Sequence, residues 1–216
     1  AYNTALRTLP TVSRTGYTFV GWFDTSAASG GTQATTTTKV TGTKTWYARW
    51  SINSYTFTFD KNGGNTPSST TITKEYNTAV GTLPTCTRNA DNTYTYVFAG
   101  WFDTSASSGG TQLTTATKVT SNKTWYARWT STYKNYTVTW DGNGGTPSKS
   151  SSSFHYNDAL GTLPTATRTG YTFKGWSTSK TGTVNVSTTT KVTANVTYYA
   201  VWTINSYTWT FDANGG

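Results

Sequence analysis

The sequence predicts a mainly β protein assembled from repeated units. Charged residues make up only 12% of the chain and aromatic residues 16%, while threonine supplies about a quarter. β-Branched and aromatic side chains fit a pleated sheet and lose rotamer freedom in a helix. Along one segment the aromatic residues Tyr55, Phe57 and Phe59 alternate with threonines, which is the period of a half-buried strand. The same patterns recur along the whole chain.

The recurrence is a tandem repeat. Thr-Leu-Pro-Thr begins at positions 8, 82 and 162, and Gly-Trp at positions 21, 100 and 175. The aromatic strand that begins at Tyr55 returns at Tyr136 and Tyr207, each time followed by Asn-Gly-Gly. These spacings exceed the roughly 20–45 residues of a solenoid unit, which cannot bury its own apolar face. Each copy is therefore predicted to be a small domain with its own core.

The repeat pattern divides the chain into four segments. Repeat 1 covers residues 1–50 and lacks an opening hairpin, repeat 2 covers 55–129, and repeat 3 covers 136–202. Residues 207–216 are expected to be the opening strand of a following repeat. The linkers 51–54 and 130–135 are short, which predicts a stiff rod of domains. Because the chain has no Met and begins at Ala1, we expect it to be a piece of a longer product.

Within one repeat the elements are predicted in a fixed order. The opening strand at 55–60 leads into the Asn-Gly-Gly turn, which supplies residues with positive φ. A weaker strand at 70–76 suits a sheet edge, and 79–84 suits one helical turn or a crossover that Pro84 keeps short. A strand ending at Trp22 carries a bulge at Gly21 that places Trp22 on the face of Phe19. Strands at 39–40 and 46–50 complete about five strands.

One length difference tests this order. Arg14 and Trp22 are separated by 8 positions and Arg168 and Trp176 by 8, but Arg88 and Trp101 by 13. The additional residues fall within 89–96, where we expect a loop tip that tolerates insertion.

Four segments of repeat 3 carry a family resemblance: 136–145, Gly-Thr-Leu-Pro at 161–164, 168–176 and 199–202. They resemble the Listeria/Bacteroides repeat, the family of the internalin B-repeat, and the resemblance extends over the whole chain. It implies a β-grasp-like module, with little or no helix, in tandem arrays of bacterial cell-surface proteins that serve as stalks or adhesive segments. Immunoglobulin-like β-sandwich repeats are the alternative fold.

Catalytic and metal-binding groups are scarce. His155 is the only histidine, so no Ser/His/Asp set or histidine metal site can be assembled. The one recurring acid, at Asp60, Asp141 and Asp212, gives a single carboxylate per loop, which favours a turn cap over a calcium site. The sequence predicts that the chain is not an enzyme and has no cofactor or metal.

Recurring aromatic residues are the candidates for binding. The tryptophans at 22, 101 and 176 are predicted to be core residues, because they recur at fixed strand positions. Tyrosines on the opposite strand face are predicted to be exposed and are the candidate adhesive surface: Tyr47, Tyr126 and Tyr199.

Other recurring or unusual side chains receive structural interpretations. Cys86 is expected to be partly buried, since Val12 and Ala166 take its place in the other repeats. The lysines at 39, 118 and 191 are interpreted as exposed edge-strand residues rather than isopeptide staples, for which no nearby acid is identified.

Modification and non-protein partners follow from composition. Ser/Thr clusters at 35–38, 150–153 and 188–190 suit O-glycans, and N-glycosylation sequons occur at Asn122, Asn135, Asn185 and Asn195. The net charge of +9 is scattered rather than clustered, so nucleic acid is not an expected partner. No run reaches the roughly 18 apolar residues of a membrane span.

These features together predict an extracellular, cell-surface stalk or filament segment with an adhesive role. Units are expected to join head to tail, either covalently or by strand complementation with further copies of the chain. The inter-copy strand consists of Tyr207, Trp209 and Phe211. The alternative function is a cell-surface module that binds glycans or cell-wall polyanions through exposed tyrosines and positive charge.

Overall fold

A computed structural model describes all 216 residues and contains no helix. The prediction of a mainly β fold is confirmed. The chain forms two compact units, Ala1–Arg88 with Val97–Thr130 and Asn89–Tyr96 with Ser131–Gly216. The strands are β1 (Tyr17–Phe23), β2 (Tyr47–Ile52), β3 (Ser54–Asp60), β4 (Thr71–Glu75), β5 (Thr78–Ala79), β6 (Tyr94–Phe102), β7 (Lys118–Val119), β8 (Lys123–Tyr133), β9 (Asn135–Asp141), β10 (Thr146–Pro147), β11 (Ser151–His155), β12 (Ala166–Thr167), β13 (Tyr171–Ser177) and β14 (Val196–Ile204).

Repeat 2 is built on a four-stranded sheet in the order β4-β3-β8-β6. The opening strand β3 pairs antiparallel with β4 and parallel with β8. Strand β4 lies at the edge, as its weak hydrophobicity predicts. The sheet has four strands rather than about five, because β7 pairs with β5 in a separate two-stranded ribbon.

Repeat 3 has the same topology, with its sheet in the order β11-β9-β14-β13. The opening strand β9 pairs antiparallel with β11 and parallel with the closing strand β14. In repeat 1 only β1 and β2 pair, and nothing in the chain pairs with the other edge of β2. Repeat 1 thus has no counterpart of β3 and β4.

The predicted bulge in β1 is confirmed. The pairing register with β2 shifts between Phe19 and Gly21, and the Phe19 and Trp22 rings then meet edge to face, 5.6 Å apart. Gly21 has a φ of +153°, and a Cβ at this position would lie 2.2 Å from the side chain of Gln33. The site therefore requires glycine.

The aromatic face of each opening strand forms the core. Phe57 and Phe59 are buried, whereas Thr58 between them is exposed, so the predicted alternation is correct. The segment 79–84 forms a crossover without a helical turn. Its Val80 reaches the core, where it is 1% exposed, and Gly81 turns the backbone away at a φ of +80°.

The insertion at 89–96 does more than form a loop tip. Its last residues begin β6, which has nine residues where β1 has seven, and the partner strand β8 has eleven where β2 has six. The Tyr94 ring packs 4.7 Å from that of Tyr133, and the hydroxyl of Tyr136 donates to the carbonyl oxygen of Asn92 at 2.8 Å. The insertion therefore packs against the segment that leads into repeat 3.

Candidate functional site: an open groove in repeat 1

Repeat 1 contains an apolar groove where the other repeats have a filled core. The groove has a volume of about 240 Å³. Trp22 and Trp46 both line it and remain partly exposed. The complete lining consists of Leu6, Thr8, Leu9, Pro10, Trp22, Ala34 and Trp46. We call this surface the repeat 1 groove.

In repeat 2 the corresponding space is occupied by the opening strand β3. The Phe57 ring lies 5.5 Å from that of Trp125, and the Phe59 ring lies 4.8 Å from that of Trp101. These tryptophans match Trp46 and Trp22 of the groove and are 3% and 1% exposed. Occupation by two side chains of β3 is therefore what closes the core.

Repeat 3 fills the same space in the same way. Val138 and Trp140 of β9 are 0% and 2% exposed, and the Trp140 ring lies 4.9 Å from that of Trp176. Since both complete repeats use two inward side chains of the opening strand, the repeat 1 groove has the position and lining of a strand-binding site.

The groove already has the geometry of a complete repeat. The indole nitrogen of Trp22 donates to the carbonyl oxygen of Pro10 at 2.9 Å. The corresponding indole bonds of Trp101 and Trp176, to Pro84 and Pro164, measure 2.8 and 2.7 Å. The tryptophan wall of the groove is thus fixed without an opening strand, so a strand could bind with little rearrangement.

A segment of suitable composition lies at 207–211. Tyr207, Trp209 and Phe211 are 75%, 82% and 87% exposed, and they occupy the positions of Tyr55, Phe57 and Phe59. The predicted opening strand forms no strand here, because it pairs with no other segment of this chain. A strand conformation depends on a partner for its backbone hydrogen bonds.

The turn that follows this segment is nevertheless formed. The carboxylate of Asp212 accepts the backbone N–H of Asn214 at 2.8 Å, as Asp60 does for Asn62 and Asp141 for Asn143. This is the predicted turn cap. No group of three or more histidine, cysteine or acidic side chains is placed to hold a metal ion.

One ion pair lies beside the groove. The ammonium group of Lys44 lies 2.9 Å from the carboxylate of Asp24 and 4.7 Å from the centre of the Trp46 ring. The N–H of Thr32 and the Lys44 ammonium together hold the pKa of Asp24 below its usual value. Lys123 takes the same place in repeat 2, with Asp103 and Trp125.

Two of the predicted glycosylation asparagines also hold the opening strands. The side-chain oxygens of Asn122 and Asn195 accept the backbone N–H groups of Thr56 and Thr137, each at 2.8 Å. The other two differ: Asn185 donates its amide to the Thr178 hydroxyl at 2.9 Å, and Asn135 is an exposed strand residue paired with His155. Glycosylation at the four sites remains a prediction.

The three candidate adhesive tyrosines share one strand position but differ in exposure. Tyr47 is 42% exposed, whereas Tyr126 and Tyr199 are partly buried. Tyr126 is paired with Asp60 of β3 and Tyr199 with Asp141 of β9. Tyr47 has no such neighbour, so its greater exposure reflects the open edge of β2.

The other side chains interpreted from the sequence are Cys86, the three recurring lysines and His155. Cys86 is a free, buried thiol, and burial raises its pKa. The three recurring lysines are exposed. His155 packs its ring 4.5 Å from that of Tyr133, and its Nδ1 lies 3.6 Å from the carboxylate of Asp158.

Sequence reasoning missed the contact between Tyr76 and Gly16. The Tyr76 ring lies against Gly16, where a Cβ would be 2.0 Å from the ring. Sequence spacing does not reveal this contact, because it joins neighbouring repeats. The Tyr-Asn pair that recurs at positions 2, 76 and 156 was the available signal.

Comparison with known proteins identifies the repeats. A family model described as the Listeria-Bacteroides repeat domain matches residues 1–49, 55–128 and 136–201. A protein named as a Gly-rich membrane protein of Evansella cellulosilytica is 34% identical over 95% of this chain and 24% of its own length. A second protein of that organism, named as a membrane protein, is 29% identical over 77% of the chain and 24% of its own length.

A third relative comes from a different organism. Internalin H of Listeria monocytogenes is 37% identical over 57% of the chain and 20% of its own length. The chain thus spans a quarter or less of the length of these three relatives. No solved structure matches it, and the chain has no helix of the length and apolarity that crossing a membrane requires. The three matched segments show that this chain belongs to the Listeria-Bacteroides repeat family.

Proposed function

We propose that this chain is a segment of a cell-surface stalk in which the repeat 1 groove binds the opening strand of another copy. The observation that carries the proposal is the match between the groove and the exposed aromatic segment 207–211. Membership of the repeat family supports a surface location, as do the names of the relatives. Two of the relatives are named as membrane proteins and the third as an internalin.

The pairing in repeat 2 gives the register of the proposed joint. Phe57 is opposite Lys123, Phe59 opposite Trp125 and Asp60 opposite Tyr126. By equivalence, Trp209 of one copy pairs with Lys44 of the next, and Phe211 pairs with Trp46. Asp212 then covers Tyr47, which would lose much of its present exposure.

The strength of the joint follows from its area. Aromatic side chains bury roughly 150–250 Å² each, so two rings contribute about 8–12 kcal/mol at about 25 cal/mol per Å². Association costs about 4–15 kcal/mol in lost freedom and ordering. The two quantities are similar, so we expect reversible association that depends on concentration.

A structural role is favoured over glycan binding by the state of the tyrosines. Tyr126 and Tyr199 lie beside the opening strand of their own repeat, and the Lys180 ammonium lies 5.4 Å from the Tyr199 ring centre. Both tyrosines are partly buried, which leaves less of each ring open for stacking than in Tyr47. The proposal includes an adhesive role for the assembled stalk. The tyrosine side chains that stay exposed after the joint has formed carry this role.

Sedimentation velocity tests the proposal on the 216-residue chain, from low micromolar to near-millimolar concentration. The unchanged chain is expected to form a concentration-dependent series of oligomers, and the double variant Trp209→Ser, Phe211→Ser is expected to remain monomeric. Val97→Ser is the matched control, since Val97 is a 66% exposed strand residue outside both surfaces. A chain that remains monomeric throughout, or equal loss in the control, overturns the proposal.

A further inference from the structure

Besides the short linker, repeats 1 and 2 are joined by a contact between Tyr76 and Gly16. The backbone N–H of Asn53 donates to the carbonyl oxygen of Gly16 at 2.9 Å, and that of Tyr76 donates to Asn53 at 2.8 Å. These bonds place the Tyr76 ring directly on Gly16. The ring also meets Tyr17 and Tyr55 edge to face, each at 6.3 Å.

Half of this arrangement is present again at the end of repeat 3. The N–H of Asn205 donates to the carbonyl oxygen of Gly170 at 2.9 Å. The hydroxyl of Thr172 donates to Asn205 at 2.6 Å, as Thr18 does to Asn53 at 2.6 Å. Gly170 and Gly16 have the same φ of +78°.

The tyrosine that follows the glycine is also held in the same way in repeats 1 and 3. The guanidinium carbon of Arg168 lies 3.8 Å from the Tyr171 ring centre, and that of Arg14 lies 3.7 Å from the Tyr17 ring centre. At Gly170, however, no atom lies within 4 Å of where a Cβ would be. The surface of Gly170, Tyr171 and Asn205, which we call the tyrosine seat, thus has its full backbone geometry and no ring upon it.

Tyr2 is the residue of repeat 1 that matches Tyr76 of repeat 2 and Tyr156 of repeat 3. The segment 2–6 corresponds to 76–80, and Asn3 and Asn77 have φ values of 58° and 61°. The N–H of Asn3 donates to Val40 at 2.7 Å, as that of Asn77 does to Val119 at 2.8 Å. Tyr2 is therefore anchored beside repeat 1 like its counterpart, but it is 79% exposed.

We infer a second contact between two copies that are joined through the repeat 1 groove. Tyr2 of the copy that provides the groove binds the tyrosine seat of the copy that provides the 207–212 segment. This inference rests on the proposed function, since both contacts belong to the same joint. In repeat 2, Tyr76, which follows β4, contacts Tyr17 of the preceding repeat, while Phe57 and Phe59 of β3 fill the core. The same relation brings Tyr2 to Gly170 once the strand is bound. With two separate points of contact, the joint fixes the angle between the copies in addition to holding them together.

Variants on each side of the contact test the inference by sedimentation. Tyr2→Ser removes the ring, and Gly170→Ala places a methyl group beneath it. Each is expected to raise the dissociation constant about tenfold. The double variant is expected to associate as strongly as either single variant, because the two substitutions remove the same contact. Tyr2→Phe keeps the ring and is expected to associate normally.

Gly161→Ala is the matched control for backbone strain. Gly161 also has positive φ, at 65°, and open space around its Cβ position, but it lies outside the tyrosine seat. If Trp209→Ser with Phe211→Ser abolishes association but Tyr2→Ser and Gly170→Ala leave it unchanged, this inference is overturned and the proposed function is not. An unchanged chain that never associates overturns the proposed function as well.

Discussion

The guanidinium of Arg128 lies over the ring of Phe102, with its central carbon 3.5 Å from the ring centre. Its Nη2 also donates to the carbonyl oxygens of Ala106 and Gly109, at 3.3 and 2.5 Å. Arg128 therefore holds the 103–110 loop against the sheet. Repeat 1 has the same pair in Arg49 and Phe23, whose separation is 3.6 Å.

Repeat 3 lacks both members of this pair. Val201 replaces the arginine and Ser177 replaces the phenylalanine, and the segment from Trp176 to Lys191 is two residues shorter than its counterparts. Where the loop is shorter, both members of the pair are absent.

Arg128→Lys is predicted to loosen this loop. Lysine keeps the charge but loses the planar fork that bonds two carbonyls and covers the ring. We expect a destabilisation of about 1–2 kcal/mol and faster hydrogen exchange confined to residues 103–111. Lys118→Gln, at an exposed lysine, is the control. Unchanged exchange in the loop would show that Arg128 does not hold it.

Trp176→Ala is predicted to destabilise repeat 3 by about 3–5 kcal/mol, the usual cost of emptying a large buried site. Trp176 is 0% exposed, and its indole N–H donates to Pro164 at 2.7 Å. Trp209→Ala supplies a control with the same chemical change, because Trp209 is 82% exposed. At a concentration where the chain is monomeric, it should change stability by less than about 0.5 kcal/mol. Urea unfolding followed by circular dichroism measures both, and equal effects would refute the predicted difference.

Acid is predicted to weaken repeats 1 and 2 before repeat 3. The N–H of Thr111, at 2.6 Å, and then the Lys123 ammonium lower the pKa of Asp103. Its folded pKa is thus below the unfolded value, so its stabilising contribution is complete above the unfolded pKa and is lost as the pH falls through the folded pKa.

Repeat 3 lacks this carboxylate, since Thr178 takes its place. Asp103→Asn should therefore reduce the loss of stability that occurs as the pH falls through and below the ordinary pKa of aspartate. The carboxylate resonance of Asp103, followed by NMR through the same range, gives its pKa directly. A titration at the ordinary value of aspartate would contradict the prediction.

Cys86 is predicted to be a packing residue with little reactivity. Burial raises the pKa of its thiol, so a disulfide reagent near neutral pH should react slowly until the chain is unfolded. Cys86→Ala should cost less than about 1 kcal/mol, because Ala166 occupies the equivalent site in repeat 3 and is also buried. Rapid labelling of the folded chain would contradict this assignment.

The parts of this structure that follow from local rules could be predicted from sequence. The bulge at Gly21 follows from the backbone freedom of glycine, and the burial of Phe57 and Phe59 follows from strand alternation. The turn cap at Asp60 follows from the tendency of an aspartate side chain to accept the backbone N–H two residues further along the chain.

Features that depend on distant partners could not be predicted in this way. Asn122 looks like a glycosylation sequon in sequence, and its bond to Thr56 becomes visible only when β3 and β8 lie side by side. Likewise, 207–211 has the alternation of a strand, but no partner within the chain gives it strand structure. The insertion at 89–96 has the composition of a loop, yet it extends β6 because β8 is extended beside it.

Hydrogen exchange of residues 207–212 at low and high chain concentration tests the central claim most directly. If this segment binds the repeat 1 groove of another copy, its amides and those of 44–47 should become protected together as concentration rises. Trp209→Ser with Phe211→Ser should abolish protection at both places. Amides of 207–212 that exchange equally fast at every concentration would contradict the account.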